Sequence, residues 1–203
     1  VVTRPLLHNG RVYFGTWGRK FYCLDERTGA KIWEWDNGHA SRMYSPAAVF
    51  PKAVGKRLFI VAPDRFMTCL NAETGAIIWR KQNPEIRVRE SMGISADSTM
   101  IYAKTMDGDL VGISTSSPDM EIVWKGNYNL GYEISPTEII EHKEVVFVPT
   151  QSGQIVAFSR ETGNLLARYK GGNGLVTSII PIARNKIGFS TMDGKITVLK
   201  FKP

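Results

Sequence analysis

The chain has 203 residues, 43% of them hydrophobic and 22% charged, proportions of an ordinary globular protein long enough to bury a sizeable core. No apolar run approaches the roughly 20 residues that a membrane-spanning helix needs, which excludes that class. Net charge is +7, from 26 basic and 19 acidic residues, but the cations are spread along the whole chain with one mild cluster at 80–89, which argues for a solvated basic surface and against a nucleic-acid site.

Taken in order, the chain reads as short strands joined by tight turns, with apolar residues alternating at period two and no stretch at period 3.6. Strands are predicted over 4–7, 11–16, 21–24 and 31–35. A second set covers 45–50, 57–62, 67–71 and 77–80, with a longer first turn at 51–56. The third set is 91–95, 100–104, 110–114 and 122–125, and the fourth is 135–140, 145–149, 155–159 and 165–169. A fifth set, 177–182, 186–190 and 195–201, has no fourth strand. Each set is an antiparallel meander.

The meanders repeat. Residues 23–33, CLDERTGAKIW, recur without a gap at 69–79 as CLNAETGAIIW. Residues 157–167, AFSRETGNLLA, keep the Glu-Thr-Gly turn and lose the tryptophan; residues 113–124 keep Trp124 and replace the turn by Ser116-Ser117-Pro118-Asp119. Glycine suits the turn because positive φ brings no Cβ clash. Gly29 and Gly75 lie 46 residues apart, and Gly75 and Gly163 lie 88 apart, two steps of 44. A second marker, in the turn before each third strand, is Gly18, Arg65, Gly108, Gly153 and Gly194, with steps of 47, 43, 45 and 41. Two markers in phase define five units, about 1–40, 41–84, 85–128, 129–172 and 173–203, with no linker between them. A four-stranded meander repeated at about 44 residues predicts an all-β fold, a β-propeller of four-stranded antiparallel blades. It is read as a single propeller domain or a fragment of one.

The missing fourth strand leaves two forms open. One is a five-bladed ring closed by a stub from residues 1–3; the other is the C-terminal part of a larger, seven- or eight-bladed ring. The chain opens on Val1 and not on Met, which favours the second form. For the same reason the lack of a signal pattern carries no argument about location.

Residues 23–33 resemble the tryptophan-docking motif of the pyrroloquinoline-quinone (PQQ) quinoprotein-like propellers. That motif opens on alanine, has an aspartate two residues on, then a Thr-Gly-Lys turn, then the tryptophan. Cys23 stands in the alanine place, Asp25 or Asn71 in the acidic place, and Gly29, Gly75 and Gly163 in the turn. Trp33, Trp79 and Trp124 stand in the docking place. The resemblance implies that each indole packs on the neighbouring blade and that its N–H finds a main-chain acceptor. Ala167 stands where a fourth docking residue is expected, and the turn at 116–119 implies a local rearrangement.

The same resemblance raises PQQ-dependent alcohol oxidation. Such an enzyme would show an adjacent Cys-Cys pair, a tryptophan platform, calcium ligands and a catalytic aspartate. Here the cysteines are 46 residues apart at one repeat position, and no acidic residue stands out from the turns. Fold does not confer function, so no catalytic residue, metal or cofactor is assigned. Cys23 and Cys69 are expected to be small buried hydrophobes, too far apart for a disulfide and without metal-site spacing. His8, His39 and His142 are expected as solvated loop residues, and Asp107-Gly108 and Asp193-Gly194 as turns, since a calcium loop needs more oxygen ligands.

Binding is better supported. Along a meander, the loop before each first strand and the turn between second and third strands share one face. Those places hold Arg42, Met43 and Tyr44; Arg87, Arg89 and Glu90; Tyr132 and Glu133; and Trp17, Arg19, Asp64 and Arg65. Arginines and aromatics on one rim match the composition enriched at protein interfaces. The expectation is a non-catalytic binding or scaffold module with a protein partner; a small-molecule ligand is also accommodated, and nucleic acid is not favoured. The resemblance implies a bacterial periplasmic or cell-envelope setting, like that of the scaffold lipoprotein of the outer-membrane barrel-assembly machinery. It also admits an accessory propeller attached to an enzyme such as a metallophosphoesterase.

Overall fold

A computed structural model describes residues 3–83, 86–129 and 131–202. The first sheet is β1 (Leu6–His8), β2 (Arg11–Gly15), β3 (Lys20–Asp25) and β4 (Lys31–Asp36). The second is β5 (Lys52–Val54), β6 (Arg57–Val61), β7 (Met67–Asn71) and β8 (Ile77–Lys81). The third is β9 (Val88–Ile94), β10 (Met100–Thr105), β11 (Asp109–Ser114) and β12 (Ile122–Asn127). The fourth is β13 (Ile140–His142), β14 (Val145–Pro149), β15 (Gln154–Ser159) and β16 (Leu165–Lys170). The fifth is β17 (Val176–Ala183), β18 (Lys186–Thr191) and β19 (Ile196–Lys200). Every sheet is an antiparallel meander in sequence order, four with four strands and the last with three among the described residues. This is the blade of a β-propeller.

The chain divides into two compact units, Val1–Glu90 with Thr115–Met120, and Ser91–Ser114 with Glu121–Pro203. In the first, Tyr13, Phe21, Cys23 and Trp33 of the first sheet pack on Leu58, Ile60 and Leu70 of the second. In the second unit, Tyr102 and Trp124 of the third sheet pack on Val146 and Phe158 of the fourth. The opposite face of the fourth sheet, through Val145 and Phe147, packs on Ile179 and Phe189 of the fifth. Successive side chains of a strand point to opposite faces, so β14 is buried along its whole length. Cys23 and Cys69 are free, fully buried thiols, and burial pushes Cys69 up to about 11.

Three first strands differ from the sequence reading: β9 starts at Val88, ahead of the expected 91, so Arg89 and Glu90 belong to the strand and not to the loop before it. Residues 45–50 form no strand: two 3-10 turns, Arg42–Tyr44 and Pro46–Ala48, take their place, and β5 starts only at Lys52. Pro46 has no N–H for a ladder and sits at the start of its turn. A Cβ on Gly15 would lie 1.6 Å from the Pro46 carbonyl oxygen, so the turn rests directly on the backbone of β2. Residues 135–140 repeat the pattern, with Pro136 after Ser135 and the strand delayed to Ile140. Side chains satisfy that segment instead of a ladder: Lys104 Nζ donates to the Ser135 carbonyl at 2.7 Å, and the Thr137 hydroxyl donates to the Val176 carbonyl.

The turn marker also shifts by one residue in the first sheet. Thr16 N–H donates to the Lys20 carbonyl as Thr150 N–H donates to that of Gln154. The left-handed residue is therefore Arg19 (φ 69) and not Gly18, matching Arg65 (φ 66) and Gly108, Gly153 and Gly194. Of the expected closing stub, Val1 and Val2 lie outside the described residues, and the Thr3 hydroxyl donates to the Val49 carbonyl within the first unit.

Candidate functional site

The repeated turn builds the docking contacts. The Asp25 carboxylate accepts from Thr28 N–H and hydroxyl, both at 2.7 Å, and these bonds hold it below its usual value. Asn71 does the same for Glu73 and Thr74 N–H. Trp33 then lies over Gly75, where an added Cβ would meet the ring at 2.8 Å, and its Nε1–H donates to the Ala72 carbonyl at 3.0 Å. Trp124 repeats this on Gly163, donating to the Arg160 carbonyl at 2.9 Å. Trp79 is buried, but its Nε1–H has no acceptor among the described residues. The carbonyl at the equivalent place, on Thr115, accepts from Arg57 at 3.0 Å, and the same guanidinium also bonds the Ser117 carbonyl of the altered turn. At the equivalent acceptor on Ala72, Arg11 donates at 3.3 Å alongside Trp33, so arginine and indole share that carbonyl in one sheet and not in the other.

The predicted binding face divides between the two units. In the first, the Ser45 hydroxyl donates to the Trp17 carbonyl at 3.2 Å and ties the two loops together. Trp17 is 59% exposed and Met43 is 73% exposed. Arg42 and Arg87 are also exposed. Behind them the charges are engaged. Arg80 donates to the buried Asp64 carboxylate at 2.7 Å, donates to the Asn37 carbonyl, and lies over the Phe66 ring. The His39 and Tyr44 rings lie 4.5 Å apart, tilted by 40°, and the Tyr44 carbonyl accepts from Asn37. Arg19 donates to the His39 and Ala40 carbonyls. Arg65 pairs with Glu90 at 2.9 Å without an aligned N–H bond, and Arg89 approaches the other oxygen of Glu90 at 3.6 Å. Arg65, Glu90, Arg80 and Asp64 are thus engaged with one another across segments, Arg89 is half-buried beside Glu90 in β9, and Trp17, Arg42, Met43 and Arg87 are exposed.

In the second unit, Tyr132 is exposed and Glu133 is buried. The Glu133 carboxylate accepts from Ser135 N–H at 2.7 Å and Gln151 N–H at 3.0 Å, pinning its loop. A groove of about 640 Å³ is lined by Asp97, Glu141, His142 and Arg160. Three of its charges pair with one another, and Lys143, Glu144 and Arg184 complete its lining. Arg160 pairs with Asp97 and Glu141, and the Tyr102 hydroxyl donates to Glu141; burial first, and this bond second, raise the Tyr102 pKa. The groove is a clasp between two sheets.

The histidines correct the sequence reading. His8 and His142 end strands and are bound through Nε2 to the Gly55 carbonyl at 2.8 Å and the Ala183 carbonyl at 2.7 Å of the following sheet. Their equivalent places three residues before Arg11 and Val145 were the available signal. Arg80, Lys104 and Arg160 carried none, since a cation at a strand end looks the same whether solvated or bound.

A family model described as outer membrane protein assembly factor BamB matches residues 2–120. The chain is 28% identical over 109 residues to quinoprotein alcohol dehydrogenase PedH of Pseudomonas putida, covering 52% of this chain and 18% of PedH. It is 27% identical over 120 residues to BamB of Burkholderia pseudomallei, covering 59% of this chain and 29% of the relative. The matches thus span less than a third of these curated relatives. The crystal structure of BamB from Moraxella catarrhalis superposes with a TM-score of 0.76 at 20% identity, over 98% of this chain and 58% of that one.

Proposed function

Because this chain belongs to the PQQ-like repeat family whose model is described as outer membrane protein assembly factor BamB, we propose that it is a non-catalytic propeller scaffold that grips a protein partner through the loop rim of its first unit. The observation that carries this reading is the exposed pair Trp17 and Met43 on loops joined by Ser45, flanked by Arg42, with the charges behind them already paired. An indole and a thioether on a neutralised, pinned support supply adaptable apolar contact at low ordering cost. A periplasmic or cell-envelope setting is proposed from the family alone.

Crosslinked capture of a partner by the chain and by Trp17→Ala and Arg42→Glu tests the rim. A hot-spot indole costs about 2 kcal/mol or more on truncation, so a partner captured by the parent should fall at least tenfold with Trp17→Ala. Undiminished capture by both variants would remove this rim as the site.

The similarity to PedH motivates one other reading, PQQ-dependent oxidation. The residues present do not fit that group. The docking tryptophans lie between sheets, Asp64 and Glu133 already accept strong hydrogen bonds, and Cys23 and Cys69 are separate buried thiols. Dye reduction by the chain supplied with PQQ and calcium would overturn the scaffold reading.

A further inference from the structure

The 640 Å³ groove of the second unit is of the size that small-ligand sites occupy, about 300–1,000 Å³. Its floor is the clasp of Arg160 with Asp97 and Glu141. Its wall is the two-residue turn Lys143-Glu144, which joins β13 to β14 between His142 and Val145. Arg184, in the turn after β17, completes the lining, and His142 Nε2 holds that turn in place through the Ala183 carbonyl at 2.7 Å. Lys143 (φ 53) and Glu144 (φ 63) both stand in the left-handed region, where any Cβ is strained. The corresponding hairpin of the first sheet turns on Asn9 and Gly10, at φ 49 and 71, the residue types that such a turn favours. The hairpin thus accepts Asn-Gly, and Lys-Glu runs against its local preference. Strain of this kind collects where side chains have a task.

The charges around the groove indicate what it takes. Lys143, Glu144 and Arg184 are exposed, and among the described residues none of their side chains has an ion pair or a hydrogen bond. Glu141 differs, because its side chain is only 4% exposed. Its contacts with the Tyr102 hydroxyl, Ala96 N–H and Arg160 all fall on Oε2. Oε1 is left without a partner among the described residues. The lining as a whole carries three carboxylates, Asp97, Glu141 and Glu144, and three cations, Lys143, Arg160 and Arg184. A neutral lining exerts no net pull on a plain anion or a plain cation. Separated charges of both signs suit a ligand that carries both.

We propose that this groove binds short free peptides as zwitterions, the terminal ammonium at Glu144 and Glu141 Oε1 and the terminal carboxylate at Arg184 and Lys143. A guanidinium fork takes a carboxylate through two parallel hydrogen bonds, and a carboxylate oxygen shielded from water attracts an ammonium more strongly than an exposed one does. The turn then has a physical reason for its residues: Asn-Gly would relax the backbone and remove one charge of each sign from the wall. The site uses none of the rim residues of the first unit and does not rest on the scaffold reading.

The test titrates trialanine into the 203-residue chain, following backbone amide shifts and heat. Saturable shifts are expected at Lys143, Glu144 and Arg184, with a Kd of about 1 mM because the outer contacts are open to solvent. N-acetylation removes the peptide's ammonium and C-amidation its carboxylate, and each should weaken binding about fivefold or more, as should Arg184→Gln. The double variant Lys143→Asn with Glu144→Gly reproduces the turn of the first sheet. It should lose binding while its melting temperature rises by about 2–4 °C. A turn with only a structural role would gain that stability and leave binding as it was. The capped peptides leave the protein untouched and keep the test decisive if the double variant does not fold. Equal binding of either capped peptide, full binding by the double variant, a lowered melting temperature in that variant, or no shift at millimolar trialanine overturns the proposal.

Discussion

Lys52 carries a charge that its surroundings disfavour. Burial first, and Arg4 second, pull its pKa from 10.5 down to about 8. Between about pH 8 and 10.5 the unfolded chain then holds a proton that the folded chain has lost, so stability rises with pH across that window. Cys69 acts oppositely above pH 9, where the unfolded thiol ionises and the folded one, at about 11, does not. Urea titrations of the parent and Lys52→Met at pH 7 and pH 9 separate the two. The parent is expected to gain on the order of 1 kcal/mol relative to Lys52→Met between pH 7 and pH 9, as folded Lys52 gives up its proton. The indoles give a second prediction. Trp124→Phe loses a buried hydrogen bond and leaves the Arg160 carbonyl without it, whereas Trp79→Phe removes an N–H that has no acceptor among the described residues. Trp124→Phe should therefore cost about 1–2 kcal/mol more than Trp79→Phe in the same assay. Both tryptophans were legible in the sequence as repeated residues; the difference between them was not, because it depends on where each indole N–H falls relative to a carbonyl of a neighbouring sheet.

At the scale of the strand and its turn, period-two alternation located the second, third and fourth strands of each sheet within a residue or two. It failed at 45–50 and 135–140. Those segments look like strands because they alternate, but Pro46 and Pro136 deny them a ladder, and side chains from elsewhere take over their polar groups. The turn glycines separate local from tertiary causes. Nothing lies within 4 Å of a Cβ on Gly29, so Gly29→Ala should cost only left-handed strain, about 1 kcal/mol. At Gly163 the same methyl would lie 2.5 Å from the Trp124 ring, and Gly163→Ala should cost at least twice as much, read as a larger drop in urea midpoint. Equal midpoints would mean that the indole contact adds nothing to the turn.

For the molecule as a whole, a charge of +7 with only one mild cluster predicts little affinity for polyanions. A duplex DNA shift, if seen at low salt, is expected to vanish by about 200 mM, as nonspecific phosphate binding does, while partner capture through Trp17 and Met43 persists. A salt-resistant DNA complex would contradict this. The sequence by itself determined the blade, its period and the docking motif, because these rest on local turn chemistry and on alternation repeated in register. It did not determine which members of the predicted rim face outward. Arg65, Glu90 and Glu133 share the composition of a binding surface with Trp17 and Arg42, yet they are engaged by neighbouring segments. Only tertiary structure decided that, because a charged side chain becomes scaffold or contact according to whether a partner from a distant loop lies within about 3 Å of it.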